Sequence, residues 1–383
     1  MSNPFEGLRP ALEVIAQEAE VLPATGQAME DLMRPDHEEV VDRIRMGDET
    51  VRDVVIETPN REPYVLLRPT YRKDSHLLRY FLDGSARTFF LGDAVEGHRQ
   101  TPIHVAQVGA AAVFRNAEGR VRVARSVHRL VLMMDKSAVS FGERVEDLVR
   151  AAGPPFGFLD TMEKDGETEV SSPGKEPRSR AAHKAHHQMG KVEEELGRGL
   201  QRAAGDWLVL DGSIGKDLHP WGNVPEFLGV TKSFSRQPTF KLPGARGGRV
   251  ASLYELLADL PFLARTCAFS ARSGKVAVWY VRLREQREMD YPLMGVIKVE
   301  LPNPGEVGVQ SGLIDEISSA LVAERQATPH GRDVRWHAHL YPIFLAEQAV
   351  KNGFVSMEAV KAGIRWPTHA SAGRQSGSGR DQS

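Results

Sequence analysis

The chain has 383 residues and a formal net charge of −2, with the apolar and charged fractions of a soluble globular protein. That length suits one large or two ordinary domains, and the charge balance excludes a global basic field, so any anionic partner must be held by local patches. The single cysteine, Cys267, excludes an internal disulfide and a multi-cysteine zinc site and fits a reducing cytoplasm.

No signal peptide is expected from the first residues. No run of about 18 apolar residues exists, so a membrane span is not expected either. Leu8, Leu12, Ile15 and Ala19, then Val40, Ile44 and Val51, recur at helical spacing. They predict a helical arm over 1–62 for packing or partner contact. From Pro63 the period shifts. Runs at 65–67, 77–82, 88–93, 103–114, 121–127 and 130–134 predict hairpin-linked strands. A surface insertion is expected at about 150–180, where Pro154-Pro155 precedes a polar run. A helix is expected over 179–204 and a strand over 207–213. Residues 227–249 read as loop. Helices are expected over 253–264, 314–323 and 345–351, and strands over 276–283 and 294–301. Residues 367–383 are rich in Gly and Ser and read as a disordered tail. The fold class is therefore α/β, with a mixed β-sheet flanked by helices in a domain over 63–366.

One pattern occurs twice. Leu82-Asp83-Gly84-Ser85 and Leu210-Asp211-Gly212-Ser213 each close a short apolar run. Asp-Gly is ordinary turn chemistry, but each copy also sets a carboxylate at a strand tip. The helix between them decides the reading. With Met189 at the centre of its apolar face, Ala182, Ala185, Val192, Leu196 and Leu200 lie on that side. Glu193 falls about 40° away and points toward the core. Such a carboxylate is costly unless it pairs with a base or binds a cation. Asp83, Glu193 and Asp211 together suit a hard ion, Mg²⁺ or Mn²⁺, of the kind that activates water in phosphodiester cleavage.

That order of strand, strands, helix with inward Glu and strand with Asp resembles a ribonuclease-H-like nuclease core. With Gly229-Val230-Thr231-Lys232-Ser233 and Tyr341-Pro342 with Leu345, residues of about 75 to 351 resemble the NurA nuclease family. The resemblance implies metal-dependent DNA cleavage by a homodimer that works with a HerA-type hexameric DNA-translocating ATPase, in processing DNA ends in the cytoplasm at the nucleoid. It implies Asp83, Glu193 and Asp211 as metal ligands, with Glu194 the alternative glutamate. Lys232 would face the scissile phosphate, and Tyr341 would position a phosphate or water. The family usually carries a histidine eight residues after that tyrosine. Here Ala349 stands there, and Glu347 is the expected substitute, with His337 and His339 just before Tyr341. This departure supports a second reading, a catalytically impaired adaptor or DNA clamp of the translocase. A third is a related resolvase or RNA-cleaving enzyme.

Lys232, Arg236, Lys241, Arg246 and Arg249 lie in a stretch without acid, interleaved with Phe234 and Phe240, and read as a DNA track. His183, His186 and His187 with Lys184 and Lys191 read as a solvated or phosphate-facing helix end rather than a metal site. Trp221 and Trp336 read as core more readily than as base-stacking platforms. Ser85 and Ser213 lack the Gly-x-Ser-x-Gly context of a nucleophile.

Overall fold

The computed structural model describes residues 3–24, 55–59, 62–69, 77–163, 177–214, 224–234, 238–242, 249–305, 307–328 and 336–366, with the backbone alone at 177–179, 240–242 and 249–251. The expected helix around Val40, Ile44 and Val51, the tail at 367–383 and residues 164–176 of the expected insertion lie outside these residues.

In chain order the helices are α1 (Arg9–Glu18), α2 (Gly142–Ala152), α3 (Pro177–Arg198), α4 (Leu253–Ala258), α5 (Ser311–Ala323), α6 (Tyr341–Asn352) and α7 (Met357–Gly363). The strands are β1 (Glu20–Pro23), β2 (Glu57–Thr58), β3 (Tyr64–Leu66), β4 (Leu78–Glu96), β5 (Arg99–Arg115), β6 (Val121–Met134), β7 (Phe156–Asp160), β8 (Trp207–Asp211), β9 (Phe227–Thr231), β10 (Thr239–Leu242), β11 (Arg249–Ser252), β12 (Ala264–Thr266), β13 (Phe269–Ala271), β14 (Val276–Arg282), β15 (Val296–Pro302) and β16 (Val309–Gln310).

Among the described residues one large mixed sheet runs β3-β12-β14-β15-β9-β8-β4-β5-β6-β7, with β1 beside β4 and β13 beside β14. β4, β5 and β6 are antiparallel neighbours. β8 returns parallel to β4, and β9 parallel to β8. The chain is thus α/β with a mixed sheet flanked by helices, as its sequence predicts.

Several expectations are corrected. The expected surface insertion holds β7, which pairs with β6 in the sheet, and the helix expected over 253–264 ends at Ala258. The runs at 77–82 and 88–93 are one strand, as are those at 121–127 and 130–134. β4 passes straight through the first Asp-Gly-Ser, with Asp83, Gly84 and Ser85 opposite Ala111, Ala110 and Gly109. The stretch read as loop holds β9 and the β10–β11 hairpin. The expected arm is only partly helical: α1 gives way to β1, which pairs with β4. The described part of this segment also belongs to the body of the fold. Phe5, Leu8, Leu12 and Ile15 are buried against Phe89 and Ile103 of the sheet.

The two faces of the central strands bury different partners because side chains alternate along a strand. Leu82, Leu208, Leu210 and Phe227 pack against Val192 and Leu196 of α3. Phe81, Val209 and Val230 pack with Ile314 of α5 and Ile343 of α6. By the same alternation Asp83, Asp211 and Lys232 lie on the α6 side, while Gly84 faces α3.

Candidate active site

The site forms where β8 stops. β8 runs beside β4 only as far as the Leu82–Leu210 pair, so Asp83 and Asp211 follow one another's level at that point. α3 crosses the opposite face and brings Glu193 to the same place. Its approach depends on a missing side chain: a methyl carbon at Gly84 would stand 2.7 Å from Glu193 Oε1. The two glycines of the repeated pattern therefore serve different ends. Gly84 makes room inside a strand, whereas Gly212, at φ +131°, lets the chain turn away after β8.

The electrostatics are those of crowded acid. Burial, then Asp211, then Glu193 and Glu347 push the Asp83 pKa well up, with Lys232 opposing. Burial and then Asp211 push Glu193 up to about 8, with the Gly84 N–H partly offsetting them. Gly84 N–H also donates to Asp83 Oδ1 at 2.8 Å. Lys232 Nζ donates to Asp211 Oδ2 at 2.7 Å. Burial disfavours the Lys232 charge, but Asp211, Asp83 and Glu347 outweigh it and raise its pKa. Glu347 reaches the group from α6, where it also pairs with Lys351. Asp83, Glu193, Asp211, Lys232 and Glu347 are therefore brought together.

Other expected residues have partners of their own. Glu194 pairs with Arg198 at 3.0 Å, so the register of α3 brings Glu193 to the group. Tyr341 opens α6 with its ring stacked on Phe344 and under the Arg325 guanidinium, 4.4 Å away. His337 Nδ1 accepts from the Gly295 N–H, and His339 is buried edge-on to Phe344. Phe234, read as a base-stacking aromatic, is instead core, packed on Tyr280. Lys241 and Arg249 lie on β10 and β11. Arg236, Arg246, Trp221 and the side chains of Phe240, Lys241 and Arg249 fall outside the described residues. Trp336 is half-buried beneath Arg284. On α3, His183 and His186 are half-buried, His187 is exposed and Lys184 is buried.

A support beneath Asp211 escaped the sequence reading. Glu300 on β15 accepts from Ser213 Oγ at 2.8 Å and from the Ile214 N–H at 2.9 Å. Lys298 pairs with it at 2.8 Å, and Arg272 donates to Ser213 Oγ at 3.0 Å. The turn after Asp211 rides over Gly229, where a methyl carbon would stand 2.7 Å from the Gly212 carbonyl oxygen. Ser213 is a structural anchor here. The readable signal was the Lys298 and Glu300 pair, two charges at alternate positions of an otherwise apolar strand.

The donor set suits a hard cation, because three carboxylates offer oxygen ligands and repel one another without one. They do not stand as a ready cage. Among the described residues no group of three or more His, Cys, Asp or Glu side chains is drawn tightly enough to hold a metal ion, and Lys232 supplies the positive charge at Asp211. No protein-family model matches the chain, and no curated protein matches it.

Proposed function

We propose that this protein is a divalent-metal-dependent DNA nuclease of the NurA kind, with a ribonuclease-H-like core. The observation that carries the reading is the buried excess of acid at the end of β8, in which Asp83 and Glu193 are held against their preference for ionisation. The chain order supports it too. A strand with Asp83, two antiparallel strands, a helix with Glu193 and a parallel strand with Asp211 beside the first make up the order on which the resemblance rests.

Asp83, Glu193 and Asp211 would hold Mg²⁺ or Mn²⁺, with Glu347 at the margin. The ion, when bound, supplies an activated water and neutralises phosphate charge. The chain's own residues set the stage for this. Glu300 fixes the turn that aims Asp211. Glu193, raised to about 8, holds a proton near neutral pH and would have to give it up to serve as a ligand, so ion affinity should rise with pH. Lys232 places a buried positive charge where negative charge develops. A homodimer and a HerA-type ATPase partner, acting in DNA end processing, repair or defence against foreign DNA, complete the reading.

The adaptor reading is favoured by two observations. Among the described residues the carboxylates form no closed cage, and Glu347, the expected substitute for the histidine of the resembled family, is paired with Lys351. The test is to incubate the protein with labelled single- and double-stranded DNA and Mn²⁺, Mg²⁺ or chelator, beside Asp83→Ala and Asp211→Ala. Metal-dependent cutting lost in both variants supports the nuclease. Cutting that survives both removes the proposed cradle, and no cutting with or without the ATPase leaves the adaptor.

A further inference from the structure

Charged arginines inside this fold have partners that explain them. Arg115 pairs with Glu324, and Arg265 with Glu57 and Asp315. Arg282 donates to a ring of backbone carbonyls. Arg87 differs. It is half-buried on β4, and among the described residues it pairs with no carboxylate; its guanidinium rests 5.8 Å from the centre of the Phe354 ring.

Its position gives that cation a use. Asp83, Ser85 and Arg87 alternate onto one face of β4, so Arg87 lies about 13 Å along the strand from Asp83. The same helix flanks both ends: α6 carries Glu347 toward Asp83, and Phe354 follows its last turn. The edge of β4 between them is open among the described residues. β8 covers Leu78 to Leu82, and β1 resumes at Gly92. The acid group at one end repels a polyanion, so a strand of phosphates needs a positive contact away from it.

We propose that Arg87, seated on Phe354, binds a phosphate of a nucleic-acid strand laid along the open edge of β4, about four phosphates of a duplex strand from Asp83. This rests on the nuclease reading for the identity of the strand. An arginine presents its planar fork to a phosphate, and the ring beneath holds the guanidinium by cation–π attraction while leaving its edge free.

The test is the affinity of the full chain for labelled single-stranded and duplex DNA in chelator, where nothing is cut, over a series of salt concentrations. Thermal midpoints establish that each variant is folded. Arg87→Ala is expected to weaken binding roughly 10-fold and to reduce the salt slope by about 0.7–0.9, the value of one phosphate contact. Phe354→Leu removes the ring but no charge, and is expected to weaken binding by a few-fold at unchanged slope. Arg122→Ala, an exposed arginine on the α3 side of the sheet, is expected to bind as wild type. An unchanged slope in folded Arg87→Ala overturns the proposal, as does an equal loss in Arg122→Ala or a wild type that binds no DNA. If Arg87→Ala fails to fold, unchanged binding by Phe354→Leu overturns it. Wild-type binding that depends on Arg87, without cutting in metal, sinks the nuclease and leaves this contact standing. Cutting that is indifferent to Arg87 does the reverse.

Discussion

Around Glu57 and around Asp83 the fold buries carboxylates in two different ways. Arg265 grips Glu57 with two nitrogens, at 3.0 and 2.6 Å, and donates from Nε to Asp315 at 2.7 Å. Ser311 Oγ and the Ala268 N–H complete the shell of Glu57. Burial opposes the Glu57 charge, yet these bonds outweigh it and lower the pKa. Burial likewise opposes the Arg265 charge, and its carboxylate bonds still raise the pKa. At the end of β8 the sign is reversed: burial first, and then the neighbouring Asp211, push Asp83 and Glu193 up, because several acids share too few cations to offset it. The first cluster staples β2, β12 and α5 together. The second weakens the fold where it stands, and such a site is a candidate for chemistry.

The comparison is broken most severely at Arg265. Arg265→Ala leaves a buried carboxylate uncompensated and should cost about 3–5 kcal/mol of stability by denaturant melt; a loss under ~1 kcal/mol would show that the staple is ornamental. At the other cluster stability and activity should part. Asp83→Asn should cut metal-dependent cleavage by ~10²–10³-fold, the scale of one lost electrostatic contact in a reacting centre, while raising stability by about 1 kcal/mol through relieved repulsion. A variant that loses both stability and activity would place Asp83 with the structural cluster.

Glu300→Gln tests whether the buried network under Asp211 belongs to the site. Cleavage should fall ~10–100-fold, the scale seen for groups that orient a metal ligand, with a larger effect on the metal concentration required than on KM for DNA. An unchanged metal requirement would make the network structural alone.

The last contrast is a slope in pH. A Glu193 raised to about 8 in the fold takes up a proton on folding between its unfolded value of about 4.3 and about 8. Its share of stability is fully present below the lower value and is lost as pH rises through the upper one. Glu193→Gln should therefore flatten the decline of the melting midpoint from about pH 5 to 8. Glu57 has the opposite sign. Its contribution is present above the ordinary glutamate range and is lost as pH falls through its lowered folded value. Parallel pH profiles for Glu193→Gln and wild type would erase the contrast.

Sequence legibility followed the same division. Glu193 was readable because helical period set it beside Ala185, Val192 and Leu196, which are buried as that period requires. Glu57 and Arg265 were not, since their pairing joins residues far apart in the chain through two- and three-residue strands. The first Asp-Gly-Ser misled because glycine has two uses. At Gly212 it serves backbone conformation, the use that local sequence suggests. At Gly84 it serves the approach of another element, which local sequence does not encode. β9 was lost in a stretch read for its charges, although Phe227, Leu228 and Val230 are fully buried.

The length of β4 has a mechanical meaning. Its 19 residues span on the order of 60 Å, and β5 is bonded beside it for nearly all of that length. The register shift between Phe90 and Gly92 is the one irregularity in that pairing. A bonded ribbon of this kind is stiff along its axis, so Asp83 and Phe90 are two points on one girder. The shift at Phe90 and Gly92 is its joint: a load on the distal turn at Gly97 and His98 meets that joint before it reaches the carboxylate.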